Sequence, residues 1–201
     1  MKYPENIEEL SRLPIDYMGL IFYDKSPRFA EGLKIDELNI LPERIERVGV
    51  FVNADVGYIM DKTNKYNLDI IQLHGNESAD FCKELNKTMP VIKAFNISGA
   101  SDFEQAKSYE DLWGYFLFDT KTAQYGGSGL KFDWNVLNEY KGNTPFFLSG
   151  GISVEDAERI KEINHPSLYA IDINSKFEIN PGLKDIKLLN QFIKALDNEQ
   201  N

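Results

Sequence analysis

The chain has 201 residues, of which 42% are hydrophobic, enough for a sizeable core in one domain or two small ones. Lys and Arg number 22 against 32 Asp and Glu, a net charge of −10 that argues against binding nucleic acid by bulk charge and leaves room for a small anionic ligand held by local donors. A single cysteine excludes an internal disulfide framework and fits a reducing compartment; with no apolar run of membrane length and no visible signal peptide, the expectation is a soluble cytoplasmic protein with no membrane partner.

The segment PENIEELSRL (4–13) opens with a proline suited to a first helical turn, and Ile7, Leu10 and Leu13 mark its apolar side. Seven short apolar runs follow: YMGLIF (17–22), RVGVFV (47–52), LDIIQL (68–73), VIKAF (91–95), YFLFD (115–119), PFFLSG (145–150) and LYAIDI (168–173). They lack clean alternation, which predicts strands buried on both faces, as in a parallel sheet.

Helical patterns lie between the runs. Val56, Ile59 and Met60 mark one, and Phe81 and Leu85 another that Pro90 stops. Ser101-x-x-Glu104 and Ser153-x-x-Asp156 resemble capping boxes, Trp134 to Tyr140 reads as a short helix closed by Gly142, and Ile186, Leu189, Ile193 and Leu196 stripe the last helix. Seven βα units with one extra helix in front predict either an open doubly wound sheet or a closed barrel that lacks one strand.

In a barrel the chemistry lies at the C-terminal strand ends. Those ends carry Arg28, Asn53, the Gln72, His74 and Glu77 group, Lys93, Asp119, the Ser149-Gly150-Gly151 turn and Asp172. Gly150 and Gly151 stand between a strand and a helix start, where bare N–H groups can face an anion, and Asn174-Ser175 is the neighbouring loop; the alternative is a tight turn with no ligand. Asp119 ends an apolar strand, a place for a carboxylate of raised pKa that acts as general acid, or for one that orders a loop. Arg28 could clamp a carboxylate or be a solvated surface residue. His74 reads as a hydrogen-bonded structural residue, and no spacing suggests a metal site.

The segments MGLIFYDKSPRF, VGVFVN, LDIIQLHGNE, FLFDT…GGSGLKFDW, LSGGIS and IDINSKFEINPGLKD resemble, in order, phosphoribosylanthranilate isomerase of tryptophan biosynthesis. Lys176 stands where many members have Gly. The resemblance implies a (β/α)8 TIM barrel over residues 1–201 and a cofactor-free Amadori rearrangement of a phosphosugar-anthranilate substrate, in a monomer or homodimer. Asp119 would be the acid, Arg28 would hold the anthranilate carboxylate, and Asp172 the sugar hydroxyls. Gly150, Gly151, Asn174 and Ser175 would hold the phosphate. The family's base is a cysteine in a first-strand motif K-x-C-G, which these 201 residues do not contain. Family members continue that motif into a helix like PENIEEL. The first strand is therefore expected to be absent, through an assigned start at an internal Met or through loss in a ligand-binding paralogue. Its slot is expected to be covered by a dimer, left as a distorted opening, or partly entered by residues 1–3. Cys82, in DFCKEL, is expected to be a packing residue.

Overall fold

The computed structural model describes residues 1–30, 32–110, 112–120 and 133–197. The TAQYGGSG loop and the first part of the GGSGLKFDW segment lie outside them. Helix α1 (Pro4–Ser11) precedes β1 (Tyr17–Ile21), β2 (Glu46–Phe51), α2 (Val56–Tyr66), β3 (Ile70–Leu73), α3 (Ala79–Asn86), β4 (Val91–Ile97) and β5 (Gly114–Thr120). Then come β6 (Phe146–Leu148), α4 (Ala157–Lys161), β7 (Leu168–Ile171), the β8 (Glu178–Asn180) and β9 (Leu183–Lys184) hairpin, and α5 (Ile186–Asp197).

Strands β1 to β7 pair in sequence order, all parallel. The sheet curls, so its two faces bury different residues. The concave face closes on Val48, Ile70, Ile92, Ala94, Leu117 and Phe147. The convex face packs Leu20, Phe51, Leu73, Phe95, Phe116, Phe118 and Leu148 against the helices. Burial on both sides is why the inner strands β2 to β6 read as apolar runs; the edges are more open, with no buried residue in β7 and Tyr169 exposed. Among the described residues β1 and β7 are the two edges and do not pair with each other. At their N-terminal ends the hydroxyls of Tyr17 and Tyr169 approach to 3.2 Å across the gap. Met1 is buried, and its backbone nitrogen donates to Gly19 O in the middle of β1 at 2.8 Å.

The connectors depart from α geometry in several places, most extensively in two. Ala100–Tyr109 and Trp134–Glu139 are 3₁₀ helices. In each the buried side chains recur at every third residue, Phe103 with Ala106 and Trp134 with Leu137, which suits three residues per turn. The start of the first is set by Asp102, which accepts from Ser98 N, Ser98 Oγ and Gly99 N, not by the Ser101–Glu104 pair. The box at Ser153 does form, with Asp156 accepting from Ser153 N at 2.7 Å and Oγ at 2.8 Å. No helix among the described residues is long and apolar enough to cross a membrane.

Candidate active site

The C-terminal strand ends surround a cavity of about 750 Å3. Arg28, Asp119, Asp172, Gly150, Gly151, Asn174 and Ser175 all line it, so the seven residues singled out from sequence share one space. The cavity also runs sideways between β1 and β7, where Gly19, Ile21, Ile171, Leu189 and Phe192 line it.

Asp119 sits on β5 two residues beyond Leu117, so it faces the cavity. Its Oδ1 accepts from Thr120 N at 2.8 Å, and its Oδ2 lies 3.4 Å from His74 Nε2. The side chains are 15% and 14% exposed. Gln72 Nε2 lies 3.0 Å from His74 Nδ1. With the amide donating, Nδ1 is the acceptor and Nε2 carries the hydrogen toward Asp119, an assignment made from the network. Thus His74, read from sequence as a structural residue, is hydrogen-bonded and also stands beside the carboxylate in the cavity. The signal was the period of two in Ile70, Gln72 and His74, which places both polar residues on the concave face with Ile70.

The glycine turn serves the same carboxylate. Gly150 has φ +95° and Gly151 φ +64°, the region that favours glycine. A Cβ on Gly150 would fall 2.2 Å from Thr120 Oγ1 and 3.0 Å from Asp119 Oδ1. The turn is therefore tight for a packing reason as well as open to the cavity. Beside it, Asp172 Oδ2 accepts from Ser149 Oγ at 2.8 Å. Burial pushes the Asp172 carboxyl above its ordinary range, and the nearby charge of Asp119 adds to this, against the Ser149 hydrogen bond.

Arg28 is not a solvated surface residue. Its Nε donates to Glu178 Oε1 at 3.0 Å and Oε2 at 2.9 Å, and its Nη2 to Oε2 at 2.7 Å. The side chains are 14% and 4% exposed. Burial would raise the Glu178 carboxyl, but the Arg28 hydrogen bonds, the charge of Lys184 and the Gly182 N–H outweigh it and hold it below its ordinary value. Neither Glu178 nor Lys184 was singled out from the sequence as a site residue; the hairpin register brings them together.

Lys93, inside β4, and Glu77, in the loop after β3, turn away from the cavity. Lys93 Nζ donates to Gly75 O at 2.7 Å, Glu77 Oε2 at 2.9 Å and Leu73 O at 3.3 Å. Glu77 Oε1 also accepts from Asn53 N at 2.8 Å and Gly75 N at 3.1 Å. This buried pair, 3% exposed on each side, holds the turn that follows His74. Lys93→Met is expected to lower stability by about 3–5 kcal/mol, because it strands the Glu77 charge. Urea unfolding measures it; a loss under about 1 kcal/mol would mean that Asn53 and Gly75 satisfy Glu77 unaided. Cys82 is fully buried on α3 among core residues, and burial pushes its thiol up to about 12, so it has no access to the cavity.

The family model and the curated relatives point to one family. The sequence model described as N-(5'-phosphoribosyl)anthranilate (PRA) isomerase matches residues 1–195. The protein of Parabacteroides distasonis named N-(5'-phosphoribosyl)anthranilate isomerase is 48% identical over 199 residues, with 98% of this chain and 90% of that protein covered. The crystal structure of phosphoribosyl anthranilate isomerase from Thermotoga maritima superposes with a TM-score of 0.82 at 32% identity, covering 98% of this chain and 95% of that one. A phosphoribosyl anthranilate isomerase in complex with reduced 1-(o-carboxyphenylamino)-1-deoxyribulose 5-phosphate superposes with a TM-score of 0.78 at 29% identity, covering 98% and 94%.

Proposed function

The chain belongs to the N-(5'-phosphoribosyl)anthranilate isomerase family, and from that membership we propose how its cavity carries out the family's rearrangement in tryptophan biosynthesis. The observation that carries the reading is the placement of Asp119 in one cavity with Arg28 and with both glycine and asparagine turns.

The substrate presents a carboxylate at one end and a phosphate at the other. Arg28 holds the carboxylate with the donors that Glu178 leaves available. The pairing with Glu178 pre-orients the guanidinium, which reduces what binding must order. The backbone at Gly150, Gly151, Asn174 and Ser175 holds the phosphate, and Asp172, with Ser149, holds sugar hydroxyls. Between the ends, Asp119 protonates the furanose ring oxygen. The bond from that oxygen to C1′ breaks, and the anthranilate nitrogen becomes an iminium. Thr120 N–H occupies Oδ1 of Asp119, so the transferred proton is carried on Oδ2, whose other lone pair faces His74 Nε2 at 3.4 Å. A base then removes the C2′ proton, giving an enolamine, and protonation at C1′ with loss of the 2′-hydroxyl proton yields the ketone. The cysteine that the family resemblance assigns as base belongs to a K-x-C-G motif that residues 1–201 do not hold.

Titration with the reduced analogue tests the reading. The chain is expected to bind it in a saturable 1:1 manner. Arg28→Lys keeps a charge for Glu178 but loses the planar fork, and is expected to weaken binding about tenfold or more. Parent-like affinity in that variant would remove Arg28 from the carboxylate end.

A further inference from the structure

Lys184 is a buried amine that the proposed chemistry leaves without a role. It stands in β9 yet lines the cavity beside Asn174 and Ser175. An ammonium has three donors and no acceptor. Those of Lys184 are directed at Asn174 Oδ1 at 2.8 Å, Asn174 O at 3.0 Å and Ile173 O at 3.4 Å, with Glu178 Oε1 at 3.6 Å. Only 11% of the side chain is exposed. Burial pulls the amine down to about 8, against Glu178 and Asp172, which push it the other way. For stability alone, an apolar side chain of similar length would fill such a place without the desolvation penalty. The charge is instead spent on one turn. That turn is at Asn174, whose side-chain and backbone oxygens both accept from the amine.

We infer that Lys184 is the positioning residue of the phosphate end: by gripping both oxygens of Asn174 it fixes the Asn174–Ser175 turn in the shape that receives the phosphate. The inference rests on the proposed assignment of that turn to the phosphate. It also separates the two ends of the substrate. Without Lys184, Glu178 still holds Arg28 through three close contacts and still accepts from Gly182 N. Loss of the amine therefore disturbs the phosphate end and spares the carboxylate end.

Calorimetric titration of the full chain with the reduced analogue, and with the same compound lacking its phosphate, reads this directly. The parent is expected to prefer the phosphorylated compound by at least about tenfold. In Lys184→Met that preference is expected to fall about tenfold, with affinity for the dephosphorylated compound within about twofold of the parent. Lys184→Gln keeps one donor for Asn174 and is expected to show the same split at smaller size; it covers the case of a Met variant that does not fold. Equal losses for both compounds, or an unchanged preference in either folded variant, would overturn the inference alone. A parent chain with no preference for the phosphorylated compound would overturn the phosphate assignment itself, and Lys184's role with it.

Discussion

Asp119→Asn is expected to lower turnover of N-(5'-phosphoribosyl)anthranilate by about 10²–10⁴ relative to the parent chain, the usual worth of a positioned general acid. The amide is nearly isosteric. It can accept from Thr120 N–H as the carboxylate does, and it leaves the Gly150 approach unchanged in size. What it cannot do is deliver a proton to the ring oxygen. Affinity for the reduced analogue, which has no ring to open, is therefore expected to stay within about threefold. A fall in kcat without a matching fall in affinity separates chemistry from binding. Turnover equal to the parent's would move the acid role elsewhere, with His74, 3.4 Å away, the first neighbour to test.

The second large effect concerns the two sheet edges, β1 and β7, which do not pair among the described residues. A strand of ~5–6 residues carrying K-x-C-G, added ahead of Met1, is expected to fill the space between β1 and β7. Met1 N on Gly19 O marks where such a strand would join the ladder. Pairing with both edges would form roughly five to ten hydrogen bonds at about 1 kcal/mol each, on the order of the whole stability of a domain, about 5–15 kcal/mol. The strand would also cover the apolar flank lined by Ile21, Ile171, Leu189 and Phe192. Placing its cysteine on the cavity is expected to raise turnover about 10²–10⁴-fold. The same strand with Ser for Cys should give the gain in stability without the gain in rate. Added strands that change neither thermal midpoint nor turnover would show that the space between these edges is not a strand site.

The strands were legible from sequence because a parallel sheet covered on both faces writes itself as short apolar runs, and each of the seven runs coincides with one of β1 to β7. The outer layer was less legible. The apolar pair Phe103 and Ala106 fits an α-helix or a 3₁₀ helix equally, and the choice falls to Asp102 and its three donors. The β8–β9 hairpin went unread although Asn180-Pro181-Gly182 is turn chemistry, and Gly182 does adopt φ +84°.

The same division runs through the site. Asp119, Arg28, Asp172 and the two turns were visible as polar residues ending apolar strands or following them. Their partners were not. Glu178 reaches Arg28 across 150 positions of sequence, and Lys184 reaches Asn174 from the far strand of a hairpin. Such pairings are set by tertiary packing, which no local pattern encodes. Lys93 shows the converse: a polar residue inside β4 that points outward to Glu77 and serves the backbone of the His74 turn.

The claim on which the account turns is that one cavity holds both ends of the substrate with Asp119 between them. A crystal structure of the chain with the reduced analogue tests this most directly. The expected complex has the carboxylate on Arg28, the phosphate on the Gly150–Gly151 and Asn174–Ser175 turns, and a sugar oxygen within about 2.6–3.2 Å of Asp119. An analogue bound with its phosphate away from those turns, or with Asp119 out of hydrogen-bonding reach of the sugar, would contradict it.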